Sequence, residues 1–325
     1  MTFSSILVYS EGEVVGDGIL KLPFLAAVRA AWPRARLTWA TAKNTVYAGI
    51  LKPIAGQLTD EVLTGCGAEL GTRAILSRPF GGRRFELVID TQAHIGRSLA
   101  VRRARHSVFV TEALGYLLSD RHPRETPPET ILGRLVLLAS LAAGRPLAPV
   151  LPPPAPGDWA VAARALLPDG PAYVGIAPGA GGKNKCWPLD NYIALAQRLA
   201  ARGRTPVLLL GPEEAEWVAP LKAALPGAFF PEWDRRDAYT ALKGPCLAIA
   251  LCSRLKAGVA NNAAPAQMMA AGGAPVLALH ERHRSAAKFR PFGARVETLC
   301  AEDFGDGIGA IPLSEVEAAL DRLMV

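Results

Sequence analysis

The sequence predicts an α/β fold made of two domains, each built around a parallel sheet. First, the chain has 325 residues, and about 100 to 200 residues per domain is usual. Second, a strand–helix–strand order occurs in both halves, as in proteins with parallel sheets. Third, a proline-rich segment, residues 145–158 with the sequence RPLAPVLPPPAPGD, separates the halves. Because prolines are excluded from helix interiors and central strands, we place the domains at residues 1–150 and 151–325.

The N-terminal half contains two strand–helix–strand units. Short apolar runs predict the strands, and apolar residues at spacings of three and four predict the helices. The first unit is a strand at 5–9, a helix at 17–32 and a strand at 36–41; the second is a strand at 84–90, a helix at 95–105 and a strand at 107–111. Such units build a parallel sheet with right-handed crossovers.

The C-terminal half repeats this plan. Strands are predicted at 173–177, 206–210, 256–260, 275–279 and 294–299, and helices near 189–201, 213–225, 263–271 and 313–323. Two Rossmann-like domains facing each other would create a cleft. In open parallel sheets, ligands bind at the carboxyl ends of the strands, so we look for chemistry in the loops that follow strands.

Composition excludes several classes of protein. Half the residues are apolar and a fifth are charged, which argues against disorder. The longest uncharged apolar stretch, residues 135–144, is about half of what a membrane-spanning helix needs, and the N-terminus does not resemble a secretory signal. We therefore expect a cytoplasmic protein. The five cysteines form no CxxC pair and the five histidines do not cluster with them in sequence, so we expect free thiols and no metal site.

Positive charge is concentrated in the first half of the chain. The net charge is +7, with 18 basic and 12 acidic side chains in residues 1–150 against 18 and 17 in residues 151–325. Eight arginines lie between Arg73 and Arg105. They would suit an anionic partner, but a solvated basic face is the favoured interpretation. Interleaved aromatic residues and a reader motif are missing, so nucleic acid is not expected as a partner.

A glycine-rich loop follows the strand at 173–177. Glycines let backbone N–H groups approach an anion, the next helix N-terminus adds partial positive charge, and two lysines add full charges. The loop is therefore a candidate phosphate-binding site, although glycines that only turn the chain would give the same pattern. The candidate donor-binding residues are Gly179, Ala180, Gly181, Gly182, Lys183 and Lys185.

Acidic residues open the helix that follows the next strand. In Gly211-Pro212-Glu213-Glu214, carboxylates in a first helical turn are ordinary capping chemistry. The alternative is that one of them, Glu213, reaches a ribose hydroxyl, as acidic residues after strands do in nucleotide-binding folds.

An aspartate lies at the start of the first helix. Asp17 follows Gly16, where it could cap the helix or act as a general base on a substrate hydroxyl. Lys21 lies one turn further along, on the same helix face. Lys21 could form a surface ion pair with Asp17, or it could bind an anionic acceptor beside the base.

These pieces together resemble glycosyltransferase family 9, whose best-known members are the ADP-heptose:lipopolysaccharide heptosyltransferases. The motifs span nearly the whole chain. The most specific feature is that Pro178-Gly179 and Lys185-Cys186-Trp187-Pro188 follow Gly16-Asp17 and Leu22-Pro23 in this order. The motifs are Gly16-Asp17, Leu22-Pro23, Ile89-Asp90-Thr91-Gln92, Pro178-Gly179 and Lys185-Cys186-Trp187-Pro188.

The resemblance implies a GT-B fold in which the N-terminal domain binds the acceptor and the C-terminal domain binds an ADP-sugar. It implies inverting transfer of a sugar, with heptose as the leading candidate, without a metal ion or other cofactor. By position, Asp17 matches the family's catalytic base and Lys185 matches a lysine that meets the donor's phosphates; Gly16 and Lys21 fall on the acceptor side. An anionic glycan or glycolipid, such as the lipopolysaccharide core, is the implied acceptor, which allows a peripheral contact with a membrane surface.

One block departs from the family pattern. Members usually carry Asp-Ser/Thr-Gly-Pro-x-His before the last large strand, and residues 262–267 here read Asn-Ala-Ala-Pro-Ala-Gln. Asn262 loses the charge, Ala264 replaces the glycine, and Gln267 cannot titrate as histidine does. These donor-site changes leave three interpretations: a divergent transferase, a catalytically silent nucleotide-sugar-binding protein, or a nucleotide-sugar epimerase of the same fold.

Overall fold

The computed structural model describes residues 2–67, 78–234 and 241–325, so Arg73 in the basic segment lies outside the described residues. The chain divides into two compact units, Met1–Pro153 and Pro154–Val325. The division lies three residues beyond the boundary predicted from the proline-rich segment. Each unit contains one five-stranded sheet in which every pairing is parallel.

The N-terminal unit has the strand order β3-β2-β1-β4-β5. Its strands are β1 Ser5–Ser10, β2 Arg36–Thr41, β3 Glu61–Leu63, β4 Arg84–Asp90 and β5 Arg105–Thr111, and its helices are α1 Val15–Ala31, α2 Lys52–Ala55, α3 Ile95–Arg102 and α4 Ile131–Ala143. The order reverses direction between β1 and β4, so the loops after these two strands border a crevice at the carboxyl edge of the sheet.

The C-terminal unit has the strand order β10-β9-β8-β6-β7. Its strands are β6 Tyr173–Ala177, β7 Thr205–Leu208, β8 Ala257–Asn261, β9 Val276–His280 and β10 Val296–Cys300. Its helices are α5 Trp159–Leu166, α6 Leu189–Ala201, α7 Ala215–Ala224, α8 Pro231–Asp234, α9 Pro245–Cys252, α10 Ala264–Ala271, α11 His283–Phe289 and α12 Leu313–Leu323. Here the reversal lies between β6 and β8.

Each sheet is covered by apolar residues on both faces, as parallel sheets require. In the C-terminal unit, one core packs side chains of β6, β8 and β9 against α6 and α12, and the other packs the opposite face against α5, α9 and α10. Burying both faces leaves the loops at the strand ends as the places where polar side chains can meet a ligand.

The structure differs from the sequence predictions mainly at element ends. Helix α1 begins at Val15 rather than at residue 17, and β7 ends at Leu208 rather than at 210. The apolar run at 135–144 forms part of α4, which the Thr130 side chain caps at its start and Gly144, in the left-handed conformation, ends. Cys186, Cys252 and Cys300 are free thiols, as predicted. Among the described residues, no helix is both long enough and apolar enough to cross a bilayer.

Candidate active site

The glycine loop after β6 presents unpaired backbone donors. Within the described part of the chain, the N–H groups of Gly179, Gly181 and Gly182 have no hydrogen-bond acceptor. Gly181 has a φ of +64°, a left-handed conformation that glycine adopts readily. Since backbone N–H groups normally find a partner, these donors are available for an anion.

Two lysines of this loop point into solvent. Residues Lys183–Lys185 form a short 3₁₀ turn, and both lysines are exposed. The Lys183 ammonium lies 2.5 Å from Glu216 Oε1. Among the described residues, Lys185 has no such ion pair. The ammonium of Lys185 is therefore the more available charge for a phosphate. Helix α6 begins only at Leu189, with Pro188 as its N-cap.

Asn261, the last residue of β8, holds the loop in place. Its side chain is fully buried. Its Nδ2 donates to the Pro178 carbonyl at 2.7 Å, and its Oδ1 accepts from the Trp187 N–H at 2.9 Å and from the Tyr192 hydroxyl at 3.0 Å. One amide thus fixes both ends of the glycine loop. Asn261 is not among the residues predicted from the sequence, where its only signal is a polar residue at the end of a buried strand.

The carboxylate that faces the glycine loop belongs to Glu214 rather than to Glu213. Glu213 is exposed, whereas a Cβ atom placed on Gly179 would lie 2.1 Å from Glu214 Oε1. The other carboxylate oxygen of Glu214 accepts the Gly211 N–H at 2.8 Å, so the residue does cap the turn. Burial, assisted by the charge of Glu213, raises the pKa of Glu214.

The altered donor block turns its two amides toward α11. Asn262 Nδ2 donates to Ser285 Oγ at 2.6 Å, and Gln267 Nε2 donates to the Phe289 carbonyl at 2.9 Å. Ala264 is the first residue of α10, and the preceding Ala263 offers no side-chain cap. The predicted donor residues of this block therefore lie at the carboxyl end of β8, and their amides hold α11.

In the N-terminal unit, Asp17 is exposed in the first turn of α1. Val14 occupies the N-cap position, and no side-chain hydrogen bond caps the helix. Gly16 is the second residue of α1, and the Gly18 carbonyl accepts the Tyr47 hydroxyl at 2.7 Å. Asp17 is therefore held on an anchored helix start, and its carboxylate is accessible to solvent.

Lys21 pairs with a different acid from the one that its spacing suggested. Its Nζ lies 3.0 Å from Glu13 Oε1 and 2.8 Å from Ser10 Oγ. The prediction of an ion pair between Lys21 and Asp17 is therefore wrong. Glu13 is buried, and the Thr45 hydroxyl also donates to it. The ammonium of Lys21 neutralises this buried carboxylate beneath the start of α1.

A buried carboxyl group ends β4, one strand from β1. Asp90 is fully buried, and its oxygens accept the Gln92 N–H and the Thr111 hydroxyl, each at 3.0 Å. Burial raises the pKa of Asp90 to about 6. The motif Asp90-Thr91-Gln92 thus shapes the loop that borders the crevice of this unit.

Three arginines of the basic segment form ion pairs with acidic side chains of the N-terminal unit. Arg83 lies 2.8 Å from Glu61, Arg97 lies 3.2 Å from Glu11, and Arg102 lies 2.7 Å from Asp120. These pairs reduce the local positive field, which favours the solvated-face interpretation for these three arginines.

Comparison with solved structures shows that the chain has the GT-B fold. The chain matches a family 9 glycosyltransferase from Veillonella parvula with a TM-score of 0.71 and 17% identity, covering 99% of this chain and 97% of that one. It matches the E. coli heptosyltransferase WaaC, solved with ADP, with a TM-score of 0.68 and 17% identity over 98% and 99% of the two chains. For the E. coli ADP-heptose lipopolysaccharide heptosyltransferase II, the TM-score is 0.66 at 18% identity, over 98% of each chain.

The family follows from the sequence match. Residues 73–307 match the model of glycosyltransferase family 9 (heptosyltransferase), so the chain belongs to this family and is a glycosyltransferase, as the resemblance implied. No curated protein sequence matches it significantly.

Proposed function

We propose that this protein transfers a sugar, with heptose as the leading candidate, from a nucleoside-diphosphate donor to an anionic bacterial surface glycan such as the lipopolysaccharide core. The observation that carries the proposal is the glycine loop of the C-terminal unit. There, the unpaired N–H groups of Gly179, Gly181 and Gly182 accompany the exposed Lys185 at the topological switch point. A diphosphate carries the charge and the acceptor atoms that such a loop lacks.

The proposed reaction needs two kinds of group. The acceptor hydroxyl loses its proton to the Asp17 carboxylate while its oxygen attacks the anomeric carbon, the bond from that carbon to the diphosphate breaks, and the nucleoside diphosphate leaves. Attack opposite the leaving group inverts the anomeric centre. The loop N–H groups and Lys185 stabilise the negative charge that develops on the diphosphate. In this scheme, the N-terminal unit serves the acceptor, the C-terminal unit serves the donor, and no metal ion takes part.

Exposed apolar side chains support an amphiphilic acceptor. Ile95 and Leu99 of α3 are 45% and 48% exposed, and Leu117 in the segment after β5 is 75% exposed. These segments follow neighbouring strands, and Arg102 of α3 donates to the carbonyl of Leu118. Exposed apolar side chains on adjacent segments suit a peripheral contact with a membrane surface. We propose that the protein works in the cytoplasm and touches such a membrane peripherally to reach a glycolipid.

Titration calorimetry followed by a turnover assay tests this function. We expect ADP-heptose to bind more tightly than UDP-GlcNAc or GDP-mannose, and ADP to be released faster when the acceptor glycolipid is added. Failure of all three nucleotide sugars to bind would refute the proposal. Tighter binding of UDP-GlcNAc or GDP-mannose would show that the donor is not ADP-heptose, and sugar transfer would remain the proposed reaction.

The donor block favours a second candidate, a silent nucleotide-sugar-binding protein. Asn262 and Gln267 carry no charge, and both amides are engaged with α11. Binding without transfer or hydrolysis would favour this function.

The double substitution Asn262→Asp with Gln267→His tests whether the missing groups limit turnover. If the protein is a transferase that uses the family donor, turnover of ADP-heptose should rise. An unchanged turnover would show that the two residues do not limit transfer of this donor.

A further inference from the structure

Three side chains with metal-binding atoms meet at the carboxyl ends of β9 and β10. They are His283, the first residue of α11; Cys300, the last residue of β10; and Asp303, in the turn that follows. One ligand atom from each lies within 4.8 Å of those of the other two. His283 Nε2 is 2.9 Å from Asp303 Oδ1.

The fold holds these residues together without help from an ion. β9 and β10 are paired in parallel with His280 opposite Cys300, so the segments after the two strands leave the sheet side by side. Glu302 Oε2 accepts the His283 N–H at 2.7 Å, which ties the start of α11 to the turn after β10. The three side chains are therefore positioned by backbone contacts as well as by the bond between His283 and Asp303.

The donor set selects one class of cation. A thiol, an imidazole and a carboxylate match zinc and related transition metals, whereas calcium and magnesium prefer oxygen ligands only. Zinc is usually four-coordinate, so three protein ligands leave one position for water. Cys300 is 3% exposed, and the side chains of His283 and Asp303 are 59% and 52% exposed. The site would thus be closed on the sulfur side and open to solvent on the other.

A second observation marks the same corner of the fold. His280 is fully buried, and neither of its ring nitrogens has a hydrogen-bond partner among the described residues. It lies beside Cys300 in the strand register, and residues paired in register on parallel strands project from the same face of the sheet. Buried polar atoms normally form hydrogen bonds. The ring nitrogens of His280 form none with the described residues, so polar atoms beside Cys300 are available to a ligand or ion.

We propose that His283 Nε2, Cys300 Sγ and the Asp303 carboxylate bind one zinc-class divalent cation. On binding, the thiol gives its proton to solvent and the thiolate bonds to the metal. The site is separated from the glycine loop along the sheet, since β9 and β10 are two and three positions from β6, or about 10 and 14 Å at the usual strand spacing. The sequence alone predicted no metal site, because His283 and the other two residues are far apart in the chain.

Cobalt and zinc binding to the full chain tests the proposal. The protein is prepared without a histidine tag and treated with a chelator, then titrated with Co²⁺ while the thiolate-to-cobalt absorption is followed, and with Zn²⁺ in a calorimeter. We expect one ion per chain and a thiolate band for the native protein. Cys66→Ser changes another buried cysteine and His122→Ala another histidine, and both controls should bind as the native protein does.

The ligand variants decide the outcome. Cys300→Ser should abolish the thiolate band. His283→Ala and Asp303→Asn, whose side chains are exposed, should remain folded and bind Zn²⁺ at least about tenfold more weakly, because even outer-shell partners of a metal contribute about 10- to 100-fold. No stoichiometric binding, a band retained in Cys300→Ser, or unchanged affinity in both exposed variants would each overturn the site. If Cys300→Ser does not fold, the two exposed variants decide. ADP binding by these variants is measured separately, so that loss of the metal is distinguishable from failure of the proposed function.

Discussion

Replacing Gly179 with alanine should disturb the glycine loop through one identified clash. The new Cβ would lie 2.1 Å from Glu214 Oε1 and 2.5 Å from its Cδ, whereas ordinary contacts begin near 3.4 Å. The carboxylate must therefore move by roughly 1 Å, or the loop must shift. Overpacking of this kind costs about 1–3 kcal/mol, and moving Glu214 would also strain its 2.8 Å bond from the Gly211 N–H.

A double-mutant cycle isolates this clash. We expect Gly179→Ala to lower the free energy of unfolding by about 1–3 kcal/mol and to weaken ADP binding, because the loop that carries the free N–H groups shifts. In a Glu214→Ala background, the clashing atoms are gone, so the same substitution should cost no more than about 0.5 kcal/mol. Urea unfolding followed by tryptophan fluorescence measures the four proteins. Gly227→Ala is the matched control, because a Cβ there meets nothing within 4 Å.

The cycle has a clear refuting result. If the cost of Gly179→Ala is the same with and without the Glu214 carboxylate, the two residues do not compete for this space. If Gly179→Ala leaves both stability and ADP affinity at the level of the Gly227→Ala control, then glycine is not required at position 179.

Three further predictions concern charged side chains. Asp17→Asn should lower kcat by about 10²- to 10⁴-fold, the usual contribution of a general base, and leave the ADP dissociation constant unchanged. The control Asp190→Asn changes another exposed acid in a first helical turn and should alter neither kcat nor the ADP dissociation constant. Full turnover by Asp17→Asn would contradict the assignment. Lys185→Ala should weaken ADP binding about 10- to 100-fold, since a charged hydrogen bond contributes about 1.5–3 kcal/mol. The control is Lys256→Ala, because Lys256 is exposed and lies just before β8, at the opposite edge of the sheet. Equal ADP affinities of the two variants in calorimetry would count against a phosphate-binding role for Lys185. Burial raises the pKa of Asp90 from 3.8 to about 6. Between these two pH values, Asp90 keeps its proton in the folded protein and loses it in the unfolded chain. The contribution of Asp90 to stability therefore falls as the pH rises through this window, by up to roughly 3 kcal/mol. Asp90→Asn cannot ionise, so its stability relative to the native protein should grow from about pH 4 to pH 6 and then level off in urea unfolding; a difference independent of pH would refute the buried ionisation.

Repeated local patterns made most of the fold predictable. Buried parallel strands are short apolar runs, and amphipathic helices carry their spacing in the sequence, so β1, β4 and β6 were located closely. The short β3 and helices such as α2 and α8 lack a full period, and their formation depends on neighbours that only the folded chain supplies. Helix α1 began earlier than predicted because a valine occupies its N-cap position, where a polar residue is the usual signal.

Motifs located the candidate site, but they did not assign every partner. The glycine loop and Asp17 were predicted as site residues because unusual residue types follow predicted strands. The sequence pointed to Glu213 as a donor contact, and the structure shows that Glu214 lies against Gly179; adjacent carboxylates cannot be told apart until the turn geometry is fixed. The role of Asn261 was missed for a different reason: its three hydrogen bonds join residues that are distant along the chain.

By itself, the sequence determined the α/β class, the division into two units and the family, because these depend on local periodicity and on the order of motifs along the chain. The tertiary structure alone decided that Lys21 neutralises Glu13, that Glu214 lies against Gly179, and that His283, Cys300 and Asp303 come together. Such contacts join segments that are distant along the chain and are brought together by the register of parallel strands. The sequence shows no periodic pattern from which these contacts could be predicted.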